Sequence, residues 1–216
     1  TSPNSLKLVK TILYTNPNIF IINCDNITNK IPFKKVCFFT AKSFNPLYLN
    51  LYSNNIMINE TIKRIESIFE YDNIFVITNI DQKELAERYI DNRIPRENII
   101  FEPMSIFYAS IKILEQRGNG TITILSSDHY IDETEKLLNN IEEGIELANK
   151  EENLVTIGIK PTYPATGFGY IKYNYDDNLK CNIVEEFKEK PIYEKAREYI
   201  ESGKYYWNSG MFIWKI

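Results

Sequence analysis

Between residues 56 and 159 the chain alternates helical periodicity with short apolar runs, and that alternation restricts it to one class of fold. Ile58, Ile62, Ile65 and Phe69 recur at helical spacing, and NIFVIT (73–78) then reads as a strand. Asp81, with Glu84 three residues on, predicts a helix cap, and Leu85, Tyr89 and Ile90 follow on one face. NIIF (98–101), TITILS (121–126) and LVTIGI (154–159) are further strands, with helices over 105–116 and from Asp132 to about Asn149 between them. IFIINC (19–24) and VCFFT (36–40) add buried strands upstream. Strand and helix in series call for a parallel sheet covered by helices on both faces. The expectation is therefore an α/β, Rossmann-like, three-layer α/β/α domain, with parallel strands near 36–40, 73–78, 98–101, 121–126 and 154–159. After residue 160 Gly, Pro and Tyr enter. IKYNY (171–175) and NIVEEF (182–187) read as paired strands, 192–202 as a helix, and a last strand is expected from Met211. The sheet should thus be mixed, with an antiparallel flap.

Composition excludes several functions. Net charge is −4 with both signs interspersed and no basic stripe, so nucleic acid and anionic membranes have no electrostatic attraction to it. The longest apolar runs are too short to cross a bilayer as a helix. Cys24, Cys37 and Cys181 are widely separated, without metal-ligand or disulfide spacing, which suits a reducing cytoplasm.

Four stretches carry groups that could do chemistry. Asp128, in SDH just past TITILS, stands where open α/β sheets bind ligands, and an oxygen ligand there suits a hard cation. As a bare motif SDH equally describes a turn cap. GIKPTYPATGFGYIK (158–172) places Gly167 and Gly169 about Phe168, where a backbone can approach a ligand closely or simply turn a hairpin. FKEKP (187–191) sets Glu189, an acceptor for sugar hydroxyls, beside Lys190, a point charge for phosphate; a solvated charge run is the plainer reading. YYWNSGMFIWK (205–215) offers the amide of Asn208 among aromatics, as the floor of a sugar pocket needs.

In this order and spacing, LSSDHYI, GIKPTYPATGFGYI, FKEKP and YWNSGMFIWK closely resemble the mannose-1-phosphate guanylyltransferase family of sugar nucleotidyltransferases, as do NIFVITN and ENIIFEP upstream. The resemblance runs from about residue 36 to the end and is strongest over 121–215. It implies a GT-A-like nucleotidyltransferase fold. It also implies reaction of mannose 1-phosphate with GTP to give GDP-mannose and pyrophosphate, with magnesium. On that resemblance Asp128 is the metal ligand, and Gly169, Glu189 and Asn208 are the sugar-binding residues. Lys190 is the candidate catalytic residue, beside the sugar phosphate. Residues 1–35 form an unassigned N-terminal extension, and 36–216 form the nucleotidyltransferase-like domain.

The chain departs from the family pattern in three places. The family's AGG-x-G-T-R loop cradles the triphosphate with backbone N–H groups. Here VCFFT is followed by AKSFNPLYLNLYS, and the first glycine of the chain is Gly118. Leu47 falls where the family's P-K-Q-F lysine is expected, and Lys42 is the one cation near the loop. EPMSIFYAS (102–110) replaces the family's polar E-P-x-x-R-N-T-A-P. The sequence ends at Ile216, before the I-D-Y-G-type strand that carries a second metal aspartate, so the domain is expected to be incomplete relative to the family. From these departures follow weak GTP binding, a weakly held magnesium ion and little or no turnover. Two alternatives stand beside an active enzyme: a pseudoenzyme that binds a sugar phosphate or pairs with a second copy or an active homologue, and a fragment or divergent sequence with no function of its own.

Overall fold

The computed structural model describes residues 9–12, 19–23, 34–40, 55–101, 106–150, 153–176 and 181–216. Lys42, Leu47 and residues 102–105, on which part of the nucleotide reading rests, lie outside them. The chain divides into two compact units, one of residues 31–139 with Ile216, the other of residues 1–30 and 140–215.

The first unit is a parallel α/β layer. Strand β3 (Lys34–Thr40) lies between β4 (Ile74–Thr78) and β6 (Gly120–Ser126), and β5 (Ile99–Phe101) extends the sheet beyond β4; all three ladders are parallel. Every residue of β4 is buried, as a strand covered on both faces requires. Helix α1 (Met57–Ile65) turns Ile58, Ile62 and Ile65 inward, the i, i+4, i+7 stripe read from the sequence. The helix stops at Ile65; Phe69 reaches the core from a turn in which its N–H bonds to Ile65 O at 3.1 Å. Helix α2 (Lys83–Tyr89) also starts differently from expectation. A 3-10 turn at Ile80–Gln82 leads into it, capped by the side chain of Asn79, which accepts from the N–H of Asp81 at 3.1 Å; α2 itself starts after Gln82 without a side-chain cap. Helix α3 (Ile106–Arg117) follows β5, and the long helix α4 (Thr134–Lys150) follows β6.

The second unit is mostly antiparallel. Strand β7 (Asn153–Ile159) pairs antiparallel with β2 (Ile19–Asn23) and with β10 (Tyr205–Lys215), so it has no parallel neighbour in its unit, contrary to the expectation for 154–159. The reason is β10. It begins at Tyr205, six residues before Met211, and fills the place beside β7. Strands β8 (Tyr170–Asp176) and β9 (Cys181–Lys188) form the expected antiparallel pair, β8 adding to β10, and β1 (Val9–Ile12) pairs with β9. Ile141, Ile145 and Ala148 of α4 are buried, with Val155, Ile157 and Ile213 among the unit's buried strand residues. Helix α5 (Tyr193–Ser202) contributes Ala196 to a cluster with Ala165, Tyr170 and Trp207.

Candidate functional site

The stretch around Asn208 is an irregular strand held by its own side chains. Asn208 pairs with Gly158 and Phe212 with Thr156, so four steps along β10 match two along β7. Gly210 takes the extra length with φ 73°, a conformation favouring glycine. Each freed backbone group is met locally. Ser209 Oγ donates to Ile157 O at 2.5 Å and accepts from the N–H of Met211 at 3.1 Å. Thr156 Oγ1 donates to Met211 O at 3.0 Å. Asn208 Oδ1 accepts from the N–H of Gly210 at 3.1 Å, with Thr156 Oγ1 3.5 Å away. That contact fixes which end of the amide is oxygen, and leaves the Asn208 NH2 group as a donor with no partner among the described residues. Asn-Ser-Gly here is therefore a bulge that aims an amide.

Gly169 lies directly opposite. Its carbonyl accepts from the N–H of Asn208 at 2.8 Å. A Cβ on Gly169 would stand 2.9 Å from Glu189 Oε2 and 3.5 Å from Asn208 Cβ. Three residues far apart in sequence thus meet at one point. Lys190 stands beside them, its Nζ 3.7 Å from Glu189 Oε1, with both side chains well exposed. Its backbone carries the one positive φ of a non-glycine residue among the described ones, 41°. The strained residue comes two positions after the end of β9 and just before Pro191, where the chain turns into α5; such outliers concentrate at functional sites. Nothing in residue types announced that conformation.

Asp128, in the other unit, is exposed in the turn that follows the carboxyl end of β6. The preceding Ser127 is buried, and its carbonyl lies 3.3 Å from Thr61 Oγ1 of α1. His129 is pushed below its ordinary pKa, chiefly by burial, against the opposing charge of Asp128. It lines a cavity of about 480 Å³ with Met57, Arg64, Tyr130 and Leu138. Burial also lowers the pKa of Arg64. That cavity was not foreseen; Arg64 alternates with the buried isoleucines of α1 and reads in sequence as an ordinary surface cation. Among the described residues no three His, Cys, Asp or Glu side chains group as a metal site.

The parallel unit, with Asp128 past a strand end, and the mostly antiparallel unit, with its amide-bearing bulge, make this an α/β chain of the Rossmann-like class. The nucleotidyl transferase family model matches residues 39–216, and the chain belongs to that family. Among curated proteins it is 33% identical over 180 residues to the mannose-1-phosphate guanylyltransferase of Salmonella montevideo, covering 78% of this chain and 38% of that protein. It is 34% identical over 178 residues to that of Klebsiella pneumoniae, covering 78% and 37%. The chain thus spans little more than a third of the length of these relatives. Among solved structures it is similar to mannose-1-phosphate geranyltransferase from Thermus thermophilus (TM-score 0.73, 24% identity, 84% of this chain and 57% of that one). It is also similar to mannose-6-phosphate isomerase from Helicobacter pylori (TM-score 0.69, 29% identity, 84% and 70%). No helix among the described residues is long and apolar enough to cross a membrane.

Proposed function

We propose that this chain is a mannose-1-phosphate guanylyltransferase-like domain that holds a hexose 1-phosphate at Gly169, Glu189, Lys190 and Asn208. The observation that carries this reading is the meeting of Asn208 and Glu189 over Gly169. An oriented amide donor and a carboxylate acceptor suit adjacent sugar hydroxyls, and a glycine leaves room for the ring. Lys190 Nζ is the cation for the phosphate, and by family likeness Asp128, in the other unit, is the residue that would hold magnesium. Mannose is the sugar by likeness to the curated relatives.

Transfer to GTP is the weak arm. Between Val36 and Leu51 every residue carries a Cβ and Lys42 is the one cation beyond β3. A backbone cradle for a triphosphate needs N–H groups that side chains do not screen. The chain is therefore read as a sugar-phosphate binder with little or no guanylyltransferase turnover, cytoplasmic, with a second copy or an active homologue as its protein partner. Calorimetry of the chain with mannose 1-phosphate, and separately with GTP and magnesium, tests both arms. Sugar-phosphate binding that Asn208→Ala abolishes, without micromolar GTP affinity, is the expected result. Steady GDP-mannose and pyrophosphate formation would refute the weak-turnover reading, and no binding of mannose 1-phosphate would refute the sugar site.

A further inference from the structure

The loop over residues 160–169 leaves β7 at Ile159 and rejoins the sheet at Tyr170, and both residues are Cα partners of Trp207. The backbone of Trp207 therefore lies beside both ends of the loop. Tyr163 and Phe168 set their rings edge-on to the Trp207 indole, with centroids 5.0 and 5.1 Å away and interplanar angles of 67° and 68°. Such edge-to-face pairs prefer a fixed geometry. Trp207 is buried with Ala165, Tyr170 and Ala196, yet its indole N–H is buried with no hydrogen-bond partner among the described residues. Among the described residues, ring packing is what holds the indole. The loop is tied down further where the N–H of Ala165 bonds to Tyr163 O at 2.8 Å across Pro164, and where the Tyr170 hydroxyl donates to Ala165 O at 2.9 Å.

Successive residues of a strand face opposite sides. Trp207 faces the α5 side with Ala196, and Asn208 faces the other. The same change of side separates Phe168, on the indole, from Gly169, whose missing Cβ points at Asn208 and Glu189. We infer that Phe168 is a positioning residue: seated on Trp207 on one face of the sheet, it holds the Gly169 carbonyl against the Asn208 N–H on the other. The exposure of Phe168 supports this. About two-fifths of its surface is open to solvent, so it contributes modestly to the core. Its neighbours Gly167 and Gly169 offer no side-chain packing to hold the loop in its place. The inference rests on the sugar-site reading for its purpose, but not for its geometry.

The test uses the intact chain and two variants, Phe168→Ala and Phe168→Tyr. Amide hydrogen exchange is followed at Asn208, which reports the bond to Gly169, and at Ile213, which lies in the same strand beyond the bulge. With Phe168→Ala the Asn208 amide is expected to exchange about tenfold faster while Ile213 keeps its rate, a local opening rather than a global one. Phe168→Tyr, which keeps the ring edge, should restore protection. An Asn208 rate unchanged by Phe168→Ala overturns the inference. So does equal acceleration at Ile213, because that is plain loss of stability. Affinity for mannose 1-phosphate is measured in parallel. If the wild-type chain does not bind the sugar phosphate the sugar-site reading fails, and the exchange rates still decide the role of Phe168.

Discussion

A methyl group on Gly144 would stand 2.6 Å from Cδ1 of Ile213, so α4 lies so close to β10 that a side chain there must push Ile213 aside. Alanine would add about 1 kcal/mol of helix propensity at this position. Overpacking a filled core costs about 1–3 kcal/mol. We expect Gly144→Ala to destabilise the chain by about 1 kcal/mol in urea unfolding, on balance of those two effects. Adding Ile213→Val removes the clashing carbon and should recover part of the loss. A Gly144→Ala chain more stable than wild type would contradict the packing.

Ser209→Ala removes one donor and one acceptor from the bulge at once. Ile157 O and the Met211 N–H are then left in a buried place without their partner. The expected cost is about 1–3 kcal/mol, read from the shift of the denaturant midpoint at constant slope. A shift within the noise of a surface substitution would mean that water or another group takes over the role of the hydroxyl.

The parts of the molecule legible in sequence are those governed by period. Ile58, Ile62 and Ile65 declared α1, and the run NIFVIT at 73–78 declared a strand, which the fold buries along its whole length. The start of β10 was missed because Asn208, Ser209 and Gly210 are turn formers, and in sequence they interrupt an apolar run. The fold uses their short polar side chains to repair a bulge inside the strand. The cap expected at Asp81 for α2 is made instead by Asn79 for the 3-10 turn that precedes the helix; Asn79 and Asp81 are equally good caps, and only backbone geometry chooses between them. The meeting of Gly169, Glu189 and Asn208 came from the order of motifs, not from spacing. The positive φ of Lys190 had no signature in residue type.

Gly169→Ala separates folding from binding. The added Cβ meets the end of the flexible, exposed Glu189 side chain, which can swing away, so stability should change by no more than about 0.5 kcal/mol. The displaced carboxylate and the filled space should remove binding of mannose 1-phosphate in calorimetry. Undiminished affinity would show that the sugar does not sit over Gly169.

Acid should reach the chain in part through Asp91. Its carboxylate receives the Nε and Nη2 groups and the backbone N–H of Arg93, and these bonds hold its pKa below the usual carboxylate range. The folded state therefore prefers the ionised form. Its contribution is complete above about pH 4, the ordinary carboxylate value, and is lost as pH falls through the lower folded value. Asp91→Asn should lower the urea midpoint at pH 7, and the gap to wild type should narrow as the pH drops below about 4. A gap independent of pH would assign the loss to shape rather than charge.

The bulge in β10 inserts two residues, an even number, and so preserves the parity of the strand. Met211 and Ile213 remain inward on the same alternation that carries Tyr205 to Asn208. Deleting one residue among Asn208, Ser209 and Gly210 would invert every side chain to the end of the strand, driving Phe212 and Trp214 inward and Ile213 outward. Deleting two would keep the alternation and straighten the strand, at the cost of the amide-aiming geometry. Length variation at this point is thus tolerated in even steps only, and the even step that best preserves the fold is the one that dismantles the site.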